Sequence, residues 1–155
     1  MRKLLNGLMK YRREELPQRR EMFRRLAEEG QSPDTLFIAC SDSRIVPNLL
    51  TSGEPGDLFT LRTIGNLIAP CDAGGNAQGD VSEAAAIEYS LVVLGIRDIV
   101  ICGHSHCGAM KAVRRARRSS RAFRIWSSGS STACRASIAS GARSTSITRC
   151  RSSSS

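Results

Sequence analysis

Two short stretches, Cys40-Ser41-Asp42-Ser43-Arg44 and Gly103-His104-Ser105-His106-Cys107-Gly108, constrain this chain more than anything else in it. Each follows a compact apolar run, Thr35-Leu36-Phe37-Ile38-Ala39 and Asp98-Ile99-Val100-Ile101-Cys102, whose length and β-branched content predict a buried strand of a parallel sheet. If the two strands are neighbours, both stretches leave the sheet at its carboxyl edge, where open α/β sheets bind their ligands. Two thiols, an imidazole and a carboxylate then converge on one point. That donor set is what a zinc ion takes.

Cys40, His104 and Cys107 supply three ligands, and a catalytic zinc keeps its fourth position for water. In His104-x-x-Cys107 both side chains can lie on one side of a loop entering a helix, whereas His106 points elsewhere. Asp42 is either a fourth ligand, in a closed structural site, or stands just outside the metal's shell. Arg44 decides between these: a guanidinium paired with Asp42 holds the carboxylate off the metal and leaves room for a water. Zinc lowers the pKa of such a water towards ~7, less so when two thiolates donate charge than with three neutral imidazoles. Asp42 then serves as acceptor for the water's proton. Neither motif is specific alone, since Ser-Asp-Ser-Arg is ordinary turn sequence. Together, each ending a predicted strand and holding both histidines of the chain, they reinforce one another. Cys102 reads as a packed strand residue, because small thiols commonly fill cores. Cys71, Cys134 and Cys150 have no evident partner.

The rest of the chain up to Val113 supports the same architecture. Leu4, Leu5, Leu8, Leu16, Met22, Phe23 and Leu26 recur among Arg and Glu at helical spacing and predict two amphipathic helices meeting near Pro17. Acids interleave with the arginines here at helical pairing distance, which describes a solvated face rather than a nucleic-acid surface. Pro47 opens a short helix, Gly53-Glu54-Pro55-Gly56-Asp57 is a turn, and Leu58-Phe59-Thr60-Leu61-Arg62 is a further strand. Residues 63 to 79 form a long loop. It lacks the Gly-Lys-Ser/Thr ending of a phosphate cradle, which argues against nucleotide binding. Asp80 and Glu83 read as a capping pair for a helix through Leu94, stopped by Gly95, and Cys107 to Val113 begins another helix. The rhythm of strand, helix and strand is that of an α/β fold with a mostly parallel sheet flanked by helices.

Composition divides the chain in two: residues 1–113 hold 13 Lys+Arg against 14 Asp+Glu, and residues 114–155 hold 10 Arg and no acid. The overall charge of +9 therefore belongs to the tail, of which 14 residues are Ser and none is Leu. A segment with so little to bury cannot offset its ordering entropy and is expected to be disordered. It also has the composition of a GC-rich gene translated out of frame; the rival reading is an Arg/Ser tail that binds nucleic acid electrostatically. Only Phe123 and Trp126 are there to stack on bases, which counts against that rival. Six cysteines at no even spacing favour reduced thiols. With neither a secretory core nor a membrane-length apolar run, a cytoplasmic protein is expected.

Phe37-Ile38-Ala39-Cys40-Ser41-Asp42-Ser43-Arg44, Glu54-Pro55-Gly56-Asp57-Leu58-Phe59, Arg62 with Gly65-Asn66, Glu88-Tyr89 and Ile101-Cys102-Gly103-His104-Ser105-His106-Cys107-Gly108-Ala109-Met110 closely resemble the β-class carbonic anhydrases. The resemblance covers about residues 1–113, in the family's order and spacing. It implies one Zn2+ per chain on Cys40, His104 and Cys107, an Asp42–Arg44 dyad, and reversible hydration of carbon dioxide to bicarbonate and a proton. It also implies a homodimer or higher homo-oligomer whose amino-terminal helices embrace a partner subunit. Some members carry Trp where Phe37 stands, as part of an inhibitory bicarbonate site; with no indole donor, this chain resembles the open, water-ligated type. Members continue after the Gly-Ala-Met segment with further helices and at least one more strand, and nothing after Val113 resembles them. The expected organisation is a zinc domain over 1–113 that is incomplete at its carboxyl end, followed by an Arg/Ser-rich segment over 114–155. Alternatives to carbon dioxide hydration are the same fold acting on carbonyl sulfide or carbon disulfide, and a chain left inactive by its aberrant tail.

Overall fold

The computed structural model describes residues 1–72, 76, 81–116 and 146–151. The chain divides into two compact units, Met1–Ser32 and Pro33–Ser155.

The first unit is helical from Arg2 to Glu28, as α1 (Arg2–Lys10), a wider π turn (Tyr11–Glu15) and α2 (Leu16–Glu28). Two helices meeting near Pro17 are expected from the sequence; instead the backbone stays helical and absorbs the proline. Pro17 sits in the first turn of α2, where its missing N–H is no loss, and the preceding turn widens so that the Leu16 N–H reaches back to the Tyr11 carbonyl. Arg24 pairs with both Glu21 and Glu28 on an exposed face. Such pairs contribute about 0.2–0.5 kcal/mol each. Leu4, Leu5, Leu8 and Met9 are exposed.

The second unit is built on a four-stranded sheet in the order β2-β1-β3-β4, comprising β1 (Thr35–Cys40), β2 (Leu58–Thr63), β3 (Asp98–Gly103) and β4 (Ser146–Arg151). The first three strands run parallel, with Leu36 opposite Phe59 on one side and Ile99 on the other, and β4 runs antiparallel to β3. β1 is the centre, buried on both faces from Leu36 to Cys40. On one face Phe37 and Ala39 pack with Ile45 and Cys102; on the other Leu36 and Ile38 pack with Ile96 and the flanking Ile87 and Leu94. A run without alternation suits a strand covered twice.

Connections lie where turn chemistry puts them. α3 (Pro47–Thr51) starts on its proline, and α5 (Gly108–Ala116) follows β3. Between β2 and β3 the expected helix forms, as α4 (Ser82–Glu88) continued by a π turn (Tyr89–Val93) with Leu94 as its cap, and Gly95 closes it at φ +67. Asp80, the expected capping residue, lies outside the described residues. Glu83 instead accepts the Ala69 N–H at 3.0 Å, tying the loop after β2 to the start of α4. The expectation of a disordered 114–155 likewise falls mostly outside the described residues; within it, α5 runs on to Ala116 and Ser146–Arg151 forms β4.

Candidate metal centre

β1 and β3 are neighbours in parallel, Ala39 opposite Cys102, so the chain leaves both at the same edge within a residue of one another. Cys40 is the last residue of β1, and His104 and Cys107 follow β3 in the turn into α5. Their donor atoms all lie within 4.8 Å of one another, and the two sulfurs are 3.9 Å apart. All three side chains are buried. His106 adopts φ +56 and is exposed, so it turns its ring away and leaves its carbonyl towards Arg44, 3.4 Å from Nη2.

The histidine is set for coordination. Nδ1 lies 3.0 Å from the Ser105 carbonyl, and because a carbonyl only accepts, Nδ1 carries the proton. Nε2 is then a bare lone pair, buried and without a hydrogen-bond partner. A buried nitrogen left without a hydrogen bond costs free energy unless something else binds it. Beside it are two thiols. Cys40 is held below the ordinary thiol range against the upward push of burial, with the backbone N–H groups of Asp42 and Gly65 among the groups that stabilise its thiolate. Cys102, two residues before His104, shows burial alone and is pushed up; it packs against Phe37 and Ala39. One imidazole and two thiols with these properties fit zinc.

Asp42 stands at the rim. Its Oδ2 is 3.9 Å from His104 Nε2, beyond hydrogen-bonding range, and both carboxylate oxygens are taken by Arg44. Arg44 donates from its backbone N–H and Nε to Oδ1, at 3.0 and 2.9 Å, and from Nη2 to Oδ2 at 2.8 Å. These bonds hold the Asp42 carboxyl well below the usual carboxylate range. The carboxylate is therefore ionised, oriented and directed at the guanidinium rather than at the cluster.

Two residues that carry the family resemblance, Arg62 and Gly65, have a place at the site that the sequence alone does not give. Arg62, at the end of β2, reaches across to the carbonyls of Cys40 and Asp42. Gly65, at φ +74 in the single 3-10 turn after β2, presses against α5, where a Cβ would lie 2.9 Å from the Ala109 Cβ. Cys71 is exposed and apart from the cluster, while Cys134 lies outside the described residues and Cys150 is placed only by its backbone, opposite Ile99.

Residues 35–151 match the family described as carbonic anhydrase, a span that runs past the motif-bearing 113 residues. A carbonic anhydrase of Pseudomonas aeruginosa is 49% identical over 113 residues, covering 73% of this chain and 49% of that protein. Among solved structures, the β-carbonic anhydrase CcaA superposes with a TM-score of 0.68 at 48% identity, over 76% of this chain and 50% of that one. One of two tetrameric β-carbonic anhydrases from Sordaria macrospora gives a TM-score of 0.65 at 31% identity, over 82% of this chain and 58% of that one. The chain spans about half the length of these relatives.

Proposed function

Because the chain belongs to the carbonic anhydrase family, in its β class, we propose that it catalyses the reversible hydration of carbon dioxide to bicarbonate and a proton. The observation that carries this is the convergence of the Cys40, His104 and Cys107 donors around an unpartnered, buried Nε2. A fold hosts many chemistries, so the site has to bear the argument.

In this reading Cys40, His104 and Cys107 hold one zinc ion. The ion supplies Lewis acidity that brings the pKa of a water towards ~7, the value established for a three-histidine carbonic anhydrase site. The chain's residues do the rest. Ser105 fixes the imidazole through Nδ1, so that Nε2 binds without a change of tautomer. Arg44 holds both Asp42 oxygens, so the carboxylate would not itself be taken up as a ligand and solvent would keep access to a bound ion. The sequence makes Asp42 the acceptor of the water's proton; with both oxygens held by Arg44 the carboxylate stays charged, and its role would instead be to accept a hydrogen bond from the water and orient it toward the carbon of carbon dioxide. In the overall reaction water would add to the carbon as one C=O π pair moves onto oxygen, giving bicarbonate, and one water proton would leave to solvent.

Assembly and setting complete the proposal. One of the solved relatives is a tetramer, and α1 exposes Leu4, Leu5, Leu8 and Met9, a face suited to burial against a second copy. Among the described residues no helix is long and apolar enough to cross a membrane, and a site needing two reduced thiols suits the cytoplasm.

The test is zinc content and carbon dioxide hydration of the 155-residue chain beside Cys40→Ser. About one zinc per chain, with metal and activity both lost in the variant, is the expected result. A folded chain without zinc removes the site assignment, and zinc without hydration leaves the metal site but refutes the reaction.

A further inference from the structure

We propose that Arg62 is a positioning residue for the metal centre, holding the Cys40–Asp42 backbone so that Cys40 and Asp42 face their separate tasks. The inference rests on the reading that Cys40, His104 and Cys107 bind a metal.

Arg62 stands next to last in β2, in register with Ala39, and its side chain passes along the edge where β1 ends. Nε and Nη2 donate to the Cys40 carbonyl at 3.2 and 2.9 Å, and Nη2 also donates to the Asp42 carbonyl at 2.7 Å. The same two peptides are held a second time: the Ser41 N–H donates to the Thr63 carbonyl at 2.8 Å, and the Ile45 N–H to the Asp42 carbonyl at 3.0 Å. Between these fixed peptides lies the one joining Ser41 to Asp42. Its N–H points at the Cys40 sulfur, 3.4 Å away.

The charge pattern explains why a guanidinium is needed. Carbonyl oxygens gather on the cation and an N–H is left for the thiolate, so the loop presents its positive dipole ends to a negatively charged ligand. Anchoring the Asp42 carbonyl also sets the direction of its side chain, which meets Arg44 instead of the cluster. Arg62 contacts no donor atom of the cluster. It acts through the loop, and a flat fork with several N–H groups can span two carbonyls where a lysine ammonium is a single point.

The test is titration of the metal-stripped full chain with Co2+, following the thiolate-to-cobalt and d–d absorption, for the parent, Arg62→Met and Arg62→Lys. The expected result is a cobalt affinity lowered about 10–100-fold in Arg62→Met, the range for lost outer-shell partners. Its d–d bands should also shift as Asp42 comes free to bind. Arg62→Lys should lie between the two. A role confined to stability would lower the melting temperature of both variants and leave the cobalt spectrum of the folded fraction unchanged, which would overturn the proposal. Should Arg62→Met fail to fold, Arg62→Lys decides alone: parent-like affinity and bands refute the role. A parent that binds no cobalt refutes the metal reading itself.

Discussion

Arg44 grips Asp42 at both carboxylate oxygens, with Nε 2.9 Å from Oδ1 and Nη2 2.8 Å from Oδ2, while Asp42 remains 3.9 Å from the histidine nitrogen aimed at the cluster. This bidentate geometry restrains the carboxylate rather than Cys40, His104 or Cys107. Arg44→Met is therefore expected to keep its zinc and lose carbon dioxide hydration by about 10–100-fold, as removal of an orienting partner usually does. Metal analysis and initial rates on the same preparation check this. Unchanged turnover would mean that Asp42 needs no restraint.

Metal removal tests how far the centre also holds the sheet. Cys40 ends β1, whereas His104 and Cys107 lie beyond β3, so an ion shared by the three would link two strand ends 64 residues or more apart in the chain. A ligand that binds only the folded state stabilises it by about 4 kcal/mol at a thousand times its dissociation constant. Stripping the metal should lower the melting temperature, and zinc, but not magnesium, should restore it, because the donors are soft. Equal melting of stripped and reloaded chain would confine the ion to chemistry.

The convergence at the sheet edge was legible because its determinants are local. Cys40-x-Asp42-x-Arg44 and His104-x-x-Cys107 each follow an apolar run short enough to be a strand, and two parallel strands must end on one side. Arg62 and Gly65 were not legible in this way. Their contacts arise from the register that sets Ala39 opposite Arg62 and Cys40 opposite Thr63, and nothing near either residue announces that pairing. The π turns at Tyr11–Glu15 and Tyr89–Val93 were missed for another reason: one extra residue per turn barely alters a hydrophobic stripe. β4 was hidden by its composition, since Ser146-Ile147-Thr148-Arg149-Cys150-Arg151 offers little to a core. Backbone pairing with the open edge of β3 places it.

The core prediction concerns Phe37, among the largest fully enclosed side chains of the second unit. It sits mid-β1 with Ala39, Ile45 and Cys102 around it, three residues before the first thiol. Phe37→Ala should cost about 3–5 kcal/mol, because neighbours fixed in a sheet cannot close the cavity. Urea unfolding would show this as a lower midpoint at similar slope. Phe37→Leu, which keeps most of the volume, should retain most of the stability.

Gly65 offers the sharpest steric test. At φ +74 a side chain is strained by the backbone alone, and an added Cβ would lie 2.9 Å from the Ala109 Cβ and 3.0 Å from the Met110 Cε. Met110 can swing its terminal methyl aside; Ala109 can move only with α5, which begins directly after Cys107. Relief must therefore come from shifting α5 or from withdrawing the Gly65 N–H from the Cys40 sulfur, and either disturbs a thiol of the candidate metal centre. Gly65→Ala is expected to lose about 1–3 kcal/mol of stability, with zinc affinity falling alongside. Reduced stability with undiminished zinc affinity would show that the strain dissipates in the loop and that the Gly65 N–H is dispensable to Cys40.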